Sequence, residues 1–226
     1  MAQLNVKRIG AAALAVLDAE GIPGFTIRAV ADKLGVTPMA LYNHVPDKAG
    51  LVALVLNTAM VQRSPQPLTG RWRDDLIAVA SWMRKSFLAH PAAAQLQHMH
   101  RVWTPATIHF AERWHALWRQ SGLPEEHALL AAKTSALAMS GIIVEGMIYS
   151  KHVPAEDELT LMPNARLMFE TNPDPEEMFE LSVRAIIDGL HANLSQAQIR
   201  TVPRLRTPVS AAASKRSERP KRRARA

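Results

Sequence analysis

Residues 34–48 read LGVTPMALYNHVPDK, and the punctuation inside this stretch decides the fold. A helical apolar pattern on its left meets Thr37-Pro38, resumes briefly, and breaks again at Val45-Pro46. Isolated helices shorter than ~12 residues are marginal in water. So short a helix must therefore be justified by its neighbours. On its left, TIRAVADKLG (26–35) puts Ile27, Val30, Ala31 and Leu34 on one helical face, and Gly35 suits the left-handed residue that closes a helix. Thr37 can cap the next helix, and Pro38 at its first position loses no donor that the helix needs. Two helices joined by so tight a turn make a helix-turn-helix. Ile27, Val30, Leu34, Val36 and Leu41 are expected to face a small core, leaving Thr37, Pro38, Met39, Tyr42, Asn43 and His44 outward. The second helix is short because it has to enter a DNA major groove ~12 Å wide.

Working outward, Val6, Ile9, Ala13 and Val16 mark the face of a first helix, and Gly21-Ile22-Pro23-Gly24 separates it from the second. Two basic residues ahead of this apolar stretch imitate a signal peptide, but Asp18 and Glu20 stand where a small-residue cleavage site belongs. Asp47 can cap a fourth helix, KAGLVALVLNTAM. The segment RSPQPLTG (63–70) reads as a connector, because its prolines and glycine are poor helix interior residues.

Beyond it, Trp72, Leu76, Val79, Met83 and Phe87 repeat at three or four and give a fifth helix that Pro91 interrupts. Pro105 opens a helix carrying Ile108, Ala111, Trp114, Leu117 and Trp118, ended by Ser121-Gly122. Pro124 opens a long one to about Tyr149, with a stripe of Leu130, Thr134, Leu137, Gly141, Val144 and Ile148. Pro154, Pro163, Pro173 and Pro175 make residues 151–175 a loop with at most a short helix. A last helix carries Phe179, Val183, Ile186, Ile187, Leu190 and Leu194 inward. Strand-like alternation is nearly absent, so the expected class is all-α: an N-terminal three-helix helix-turn-helix DNA-binding domain over 1–60, then a larger helical domain over 61–199.

The chain of 226 residues, 48% hydrophobic and 21% charged, is long enough for a real core. Its net charge of +7 is a property of one end. Residues 200–226 hold ten Lys and Arg against Glu218 alone, so the rest is close to neutral. That Pro- and Arg-rich tail is expected to be disordered. The longest apolar run, SALAMSGIIV, is far short of a membrane span, so no membrane partner is expected. There are no cysteines, which excludes disulfides and thiolate catalysis and favours a cytoplasmic setting.

The segment GFTIRAVADKLGVTPMALYNHVPDKAGLVALVL (24–56) resembles the DNA-binding region of the TetR family of transcriptional regulators, and LYNHV with Lys48 is most similar to the tetracycline-repressor branch. The resemblance covers roughly residues 5–60; beyond that it is architectural. It implies a homodimer on a palindromic double-stranded DNA operator. It also implies that Arg28 reaches a base or phosphate, that Thr37 and Tyr42 bond phosphates, and that Lys48 contacts the backbone. Pro38, Met39, Ala40, Asn43 and His44 would lie nearest the bases; Met39 and Ala40 can meet only thymine methyls or shape, whereas Asn43 can read adenine.

In the second domain, His90, His98, His100, His109 and His115 fall close together, yet their spacing matches no metal-ligand motif, and no metal or other cofactor is expected. Glu145 sits in the apolar run SGIIVEGMIY, where a buried carboxylate requires a cation, a cavity or an interface. The resemblance places Glu145 and His100 near a ligand site, with Met83, Phe87, Trp103, Trp114, Met139 and Met147 as apolar lining for an unidentified small molecule. Gly141, Ala138, Ile187, Leu190 and Leu194 are expected in a dimer interface between the two long helices. The combined expectation is a ligand-released repressor without enzymatic activity. The alternatives are a sequence-nonspecific DNA binder relying on the tail, and a small helical enzyme, against which stands the lack of any nucleophile elbow, phosphate loop or metal motif.

Overall fold

The computed structural model describes residues 3–61, 67–100, 102–149, 155, 159, 163–171 and 174–196; for 147–149, 163 and 165 it describes the backbone alone. The basic tail expected over 200–226 lies outside the described residues. The described elements are α1 (Val6–Gly24), α2 (Ile27–Leu34), α3 (Pro38–Tyr42), α4 (Lys48–Val61), α5 (Trp72–Ala89), α6 (Pro91–His100), α7 (Pro105–Arg119), α8 (Glu125–Tyr149), α9 (Pro163–Glu170) and α10 (Pro175–Gln196). Among the described residues no strand occurs.

Two buried clusters organise these helices. The first gathers Ile9, Leu14 and Leu17 of α1, Val30 and Ala31 of α2, Leu41 of α3, and Leu51, Val55 and Leu56 of α4. The second gathers Leu76, Val79 and Met83 of α5, Trp114, Leu117 and Trp118 of α7, Ala128, Ala131, Ala132, Met139 and Ile143 of α8, and Phe179, Val183 and Ile187 of α10. Helix α6 belongs to both: Ala93 and Leu96 close the first cluster, while Ala94, next in sequence, closes the second. Gly10 permits a close crossing of α1 over α4, since a Cβ there would overlap the Thr58 hydroxyl.

Several expectations are refined or corrected. The separation of α1 from α2 at Gly21-Ile22-Pro23-Gly24 takes the form of a kink: Gly21, at φ 67° and ψ −172°, breaks the helix, and one short turn follows before α2 begins at Ile27. Val6 is half exposed because the first turn of α1 reaches past its partners. On α7, Ile108 and Ala111 point outward, and Phe110 takes the inward place, since its spacing of four aligns it with Trp114. On α8 the stripe lies mostly away from the core, with Thr134 and Leu137 exposed, Leu130 and Gly141 half-buried and Val144 buried, while Ala128, Ala131, Ala132 and Ser135 face inward. Small residues win that side because two indoles need the room. Over Glu125–Gly146, α8 is long and apolar enough to cross a membrane by length and composition, but its inner face is occupied by α7 and α10.

The connector after α4 is held by one buried carboxylate. Asp75, 1% exposed, accepts from the Thr69 N–H (2.8 Å), the Thr69 hydroxyl (2.9 Å) and the Gly70 N–H (3.0 Å). Burial works against its ionisation, but these hydrogen bonds and the Arg113 charge outweigh it and hold the carboxyl below its usual 3.8. A carboxyl with a lowered folded pKa stabilises the fold in full above the unfolded value and loses that contribution as pH falls through the folded one. Replacing Asp75 by Ala is therefore expected to cost ~1–3 kcal/mol at neutral pH, with the gap from the parent closing below about pH 4. Denaturant unfolding at neutral and acid pH measures both.

Candidate nucleic-acid interface and effector core

The turn between α2 and α3 is built by capping. Thr26 opens α2 by accepting from the Ala29 N–H at 3.0 Å, and Gly35 closes it in the left-handed region at φ 66°. The Val36 N–H returns to the Ala31 carbonyl at 3.1 Å, which directs the chain into α3. There Thr37 accepts from the Ala40 N–H at 3.3 Å and Pro38 takes the first helical position. Asp47 then caps α4, its Oδ1 accepting from the Gly50 N–H at 2.7 Å.

Helix α3 contributes one side chain to the interior. Leu41 is fully buried, Val45 follows it inward at 3% exposed, and Ala40 is half-buried. Thr37, Pro38, Met39, Tyr42, Asn43 and His44 are all exposed, as are Arg28 at the start of α2 and Lys48 at the start of α4. Met39 is 71% exposed and Tyr42 46%, an unusual display of large apolar surface on so small a helix. The Arg28 guanidinium has only a loose ion pair to Asp32, at 4.0 Å with both side chains mostly in solvent. It is thus available to an anionic partner. Three helix starts, a tyrosine, an asparagine and two cations are thus exposed within residues 28–48.

The second cluster contains an aromatic ladder. Trp82, Phe110 and Trp114 stack nearly parallel, with centroid spacings of 6.4 and 5.8 Å and interplanar angles of 22° and 17°. The indole N–H groups of Trp114 and Trp118 both donate to the Ser135 hydroxyl at 3.0 Å, and Ser135 donates to the Ala131 carbonyl. One hydroxyl thereby serves two buried indoles, the Trp114 N–H being shared with the Ala132 carbonyl at 3.1 Å. Beside it lies a cavity of only about 10 Å³, lined by Trp114, Ser135, Met139, Val183, Ile186 and Ile187.

The expected ligand set divides. Met83, Phe87, Trp114 and Met139 are in the core. His100 and Glu145 are exposed, and Trp103 is 73% exposed, beyond the aromatic cluster. The burial expected for Glu145 is thus corrected: its position on α8 turns it away from α7 and α10. The side chain of Met147 lies outside the described residues. Among the described residues no three His, Cys, Asp or Glu side chains gather as a metal site. Ser135 went unnoticed in sequence because one serine in an alanine-rich helix reads as filler. The signal that could have found it is Trp114 with Trp118, one turn apart on a buried face, each needing an acceptor.

Comparison with known proteins agrees with this geometry. Residues 9–55 match the family model described as bacterial regulatory proteins, tetR family, and residues 64–194 match the tetracyclin repressor-like C-terminal domain. The HTH-type transcriptional repressor DrrR1 of Streptomyces coeruleorubidus is 33% identical over 57% of this chain, a match spanning only 48% of that relative's own length. The class E tetracycline repressor protein of Escherichia coli is 26% identical over 87% of this chain and 95% of its own. Among solved structures, the TetR family protein ActR of Streptomyces coelicolor, in complex with actinorhodin, superposes with a TM-score of 0.70 at 29% identity, covering 87% of this chain and 99% of that one. With both of its domains matched and its reading helix built as described, the chain belongs to the TetR family of bacterial transcriptional regulators.

Proposed function

We propose that this regulator is a homodimeric cytoplasmic repressor that holds a palindromic operator through α2 and α3 and releases it when a small, largely apolar molecule enters the second cluster. The observation that carries the reading is α3 itself, a helix whose only fully buried side chain is Leu41 and whose remaining surface is turned outward. Arg28, Thr37, Tyr42 and Lys48 serve phosphates and register; Asn43 with Met39, Ala40, Pro38 and His44 meets the base edges.

The dimer surface is the outer side of α8 and α10. Leu137 and Leu181 are 72% and 68% exposed there, with Thr134 beside them and Gly141 half-buried. Ile187 and Leu194 belong instead to the core of a single protomer, at 1% and 8% exposed. Two copies pairing these helices form a four-helix bundle with an isologous interface.

The effector site requires the core to open. Small-molecule pockets run to ~300–1,000 Å³, far above the present cavity, so the ligand favours a conformation with the aromatic ladder spread. The solved relative in complex with actinorhodin supports a small-molecule effector. The Trp114 and Trp118 indoles then offer hydrogen bonds to an acceptor, and Met83, Phe87 and Met139 supply adaptable apolar walls.

Selection of bound DNA from a random pool is expected to yield a palindrome, including for a chain ending near Gln198, which separates this reading from nonspecific binding by the basic tail. Tyr42→Ala and Lys48→Ala should each weaken binding to every sequence by ~1–2 kcal/mol, whereas Asn43→Ala should change the preferred base. A pool without symmetry, or mutants without effect, defeats the proposal. For the dimer, Leu137→Glu is expected to give monomers by light scattering at micromolar concentration while helicity is retained; a variant that stays dimeric moves the interface elsewhere. For the effector, a compound that raises the thermal midpoint should quench tryptophan fluorescence and weaken operator binding by ~5- to 150-fold, with the operator weakening the compound equally. A compound library that produces no such reciprocal pair leaves an uninduced DNA binder.

A further inference from the structure

The seam between the two clusters is held by α6 and by two polar ties. His90 stands at the junction of α5 and α6, and its backbone serves both helices. Its N–H donates to the Phe87 carbonyl (3.0 Å), closing α5, and its carbonyl accepts from the Ala93 and Ala94 N–H groups (3.0 and 3.2 Å), opening α6. Its side chain crosses to the other domain: Nδ1–H donates to Asp18 Oδ2 on α1 at 2.9 Å, with the imidazole 13% exposed. One residue thus sets the bend between α5 and α6 and fastens that bend to the first helix. The second tie lies at the far end of the seam, where Asn57 Oδ1 on α4 accepts from the Ala106 N–H in the first turn of α7 at 3.0 Å.

Apolar packing shares this seam, with Ile22 of α1 and Ala92 of α6 half-buried against the first cluster. Beside it, between the kinked end of α1 at Gly21–Pro23 and Pro91 and Gln95 of α6, runs a cleft of about 480 Å³. The Asp18–His90 pair adds a directional contact between the α1 end and the start of α6, while the Ala93 and Leu96 wedge acts deeper in the first cluster.

We infer that the Asp18–His90 pair is a gauge: it fixes the angle at which the DNA-reading domain leaves the dimerising domain, and so the separation of the two α3 helices across a dimer. The inference rests on the homodimeric operator reading given above. Asp18 and His90 touch no DNA in this arrangement; they are positioning residues. Loosening them leaves each reading head intact and widens the range of half-site spacings that the dimer accepts.

The test uses the full-length protein and the palindrome recovered by selection, together with versions carrying one base pair inserted or deleted at the centre, and a single half-site duplex. The parent is expected to bind the original spacing best. Asp18→Ala and His90→Leu are each expected to reduce the penalty for altered spacing by roughly 3- to 30-fold, with half-site affinity unchanged. The exchanged pair, Asp18→His with His90→Asp, should restore the penalty. An unchanged penalty in both single variants overturns the inference. So does a loosening that the exchange fails to reverse, or an equal fall in half-site affinity, which would assign the residues to the folding of α1. Recovery of no palindrome by the parent protein instead overturns the operator reading beneath it, so the two failures are distinguishable.

Discussion

The burial of Leu41 is the contact on which the functional part of this molecule depends. A helix of five residues forms too few internal hydrogen bonds to persist alone, and α3 survives because this one side chain is fully enclosed by the first cluster. Burial of a leucine contributes ~1.5–3 kcal/mol, and the Thr37 cap, Pro38 and the Gly35 turn lower the entropy lost in presenting it. Everything else on α3 is then free to face outward. The arrangement of α1, α2 and α4 follows from the same need: they form the cup that holds Leu41 and Val45.

The second cluster is organised differently. Its dominant contacts are aromatic, and its central polar group is a serine hydroxyl shared by two indoles. Such a network is fully satisfied as it stands, so a half-opened form would leave buried N–H groups unpaired. Opening of this cluster would therefore favour a second discrete arrangement that again satisfies the indoles, which is the form of switching proposed for it. That property is what a regulator needs, because graded deformation of a packed core would not transmit a defined change.

Helix α6 connects these two kinds of packing. Ala93 and Ala94 are consecutive, yet they serve opposite clusters, so any rotation of α6 disturbs both at once. The small side chains at these positions keep the helix close to each neighbour, and His90 at its origin adds a directional contact that apolar packing lacks. Contact between the domains thus runs through a short helix with two buried faces, together with the Asn57 tie from α4 to α7, while Asp75 pins residues 69 and 70 locally.

The amino-acid sequence alone determined the reading head. Gly35, Thr37, Pro38 and Asp47 act through local backbone geometry, and Leu41 stands out by period, so the helix-turn-helix and its exposed residues were legible within a short window. The long helices and most of their inward positions followed from spacing as well. Tertiary structure decided which face of α8 is inner, that Ile187 is core and Leu137 surface, and that His100, Trp103 and Glu145 stand apart from Met83, Trp114 and Met139. An apolar helix such as α8 has no single face marked by composition, and its orientation is chosen by the volume of its partners, here two indoles that fit only against alanine and serine. The pairing of Asp18 with His90 was hidden for a related reason: contacts between residues distant in sequence depend on how helices cross, and no local pattern encodes a crossing angle.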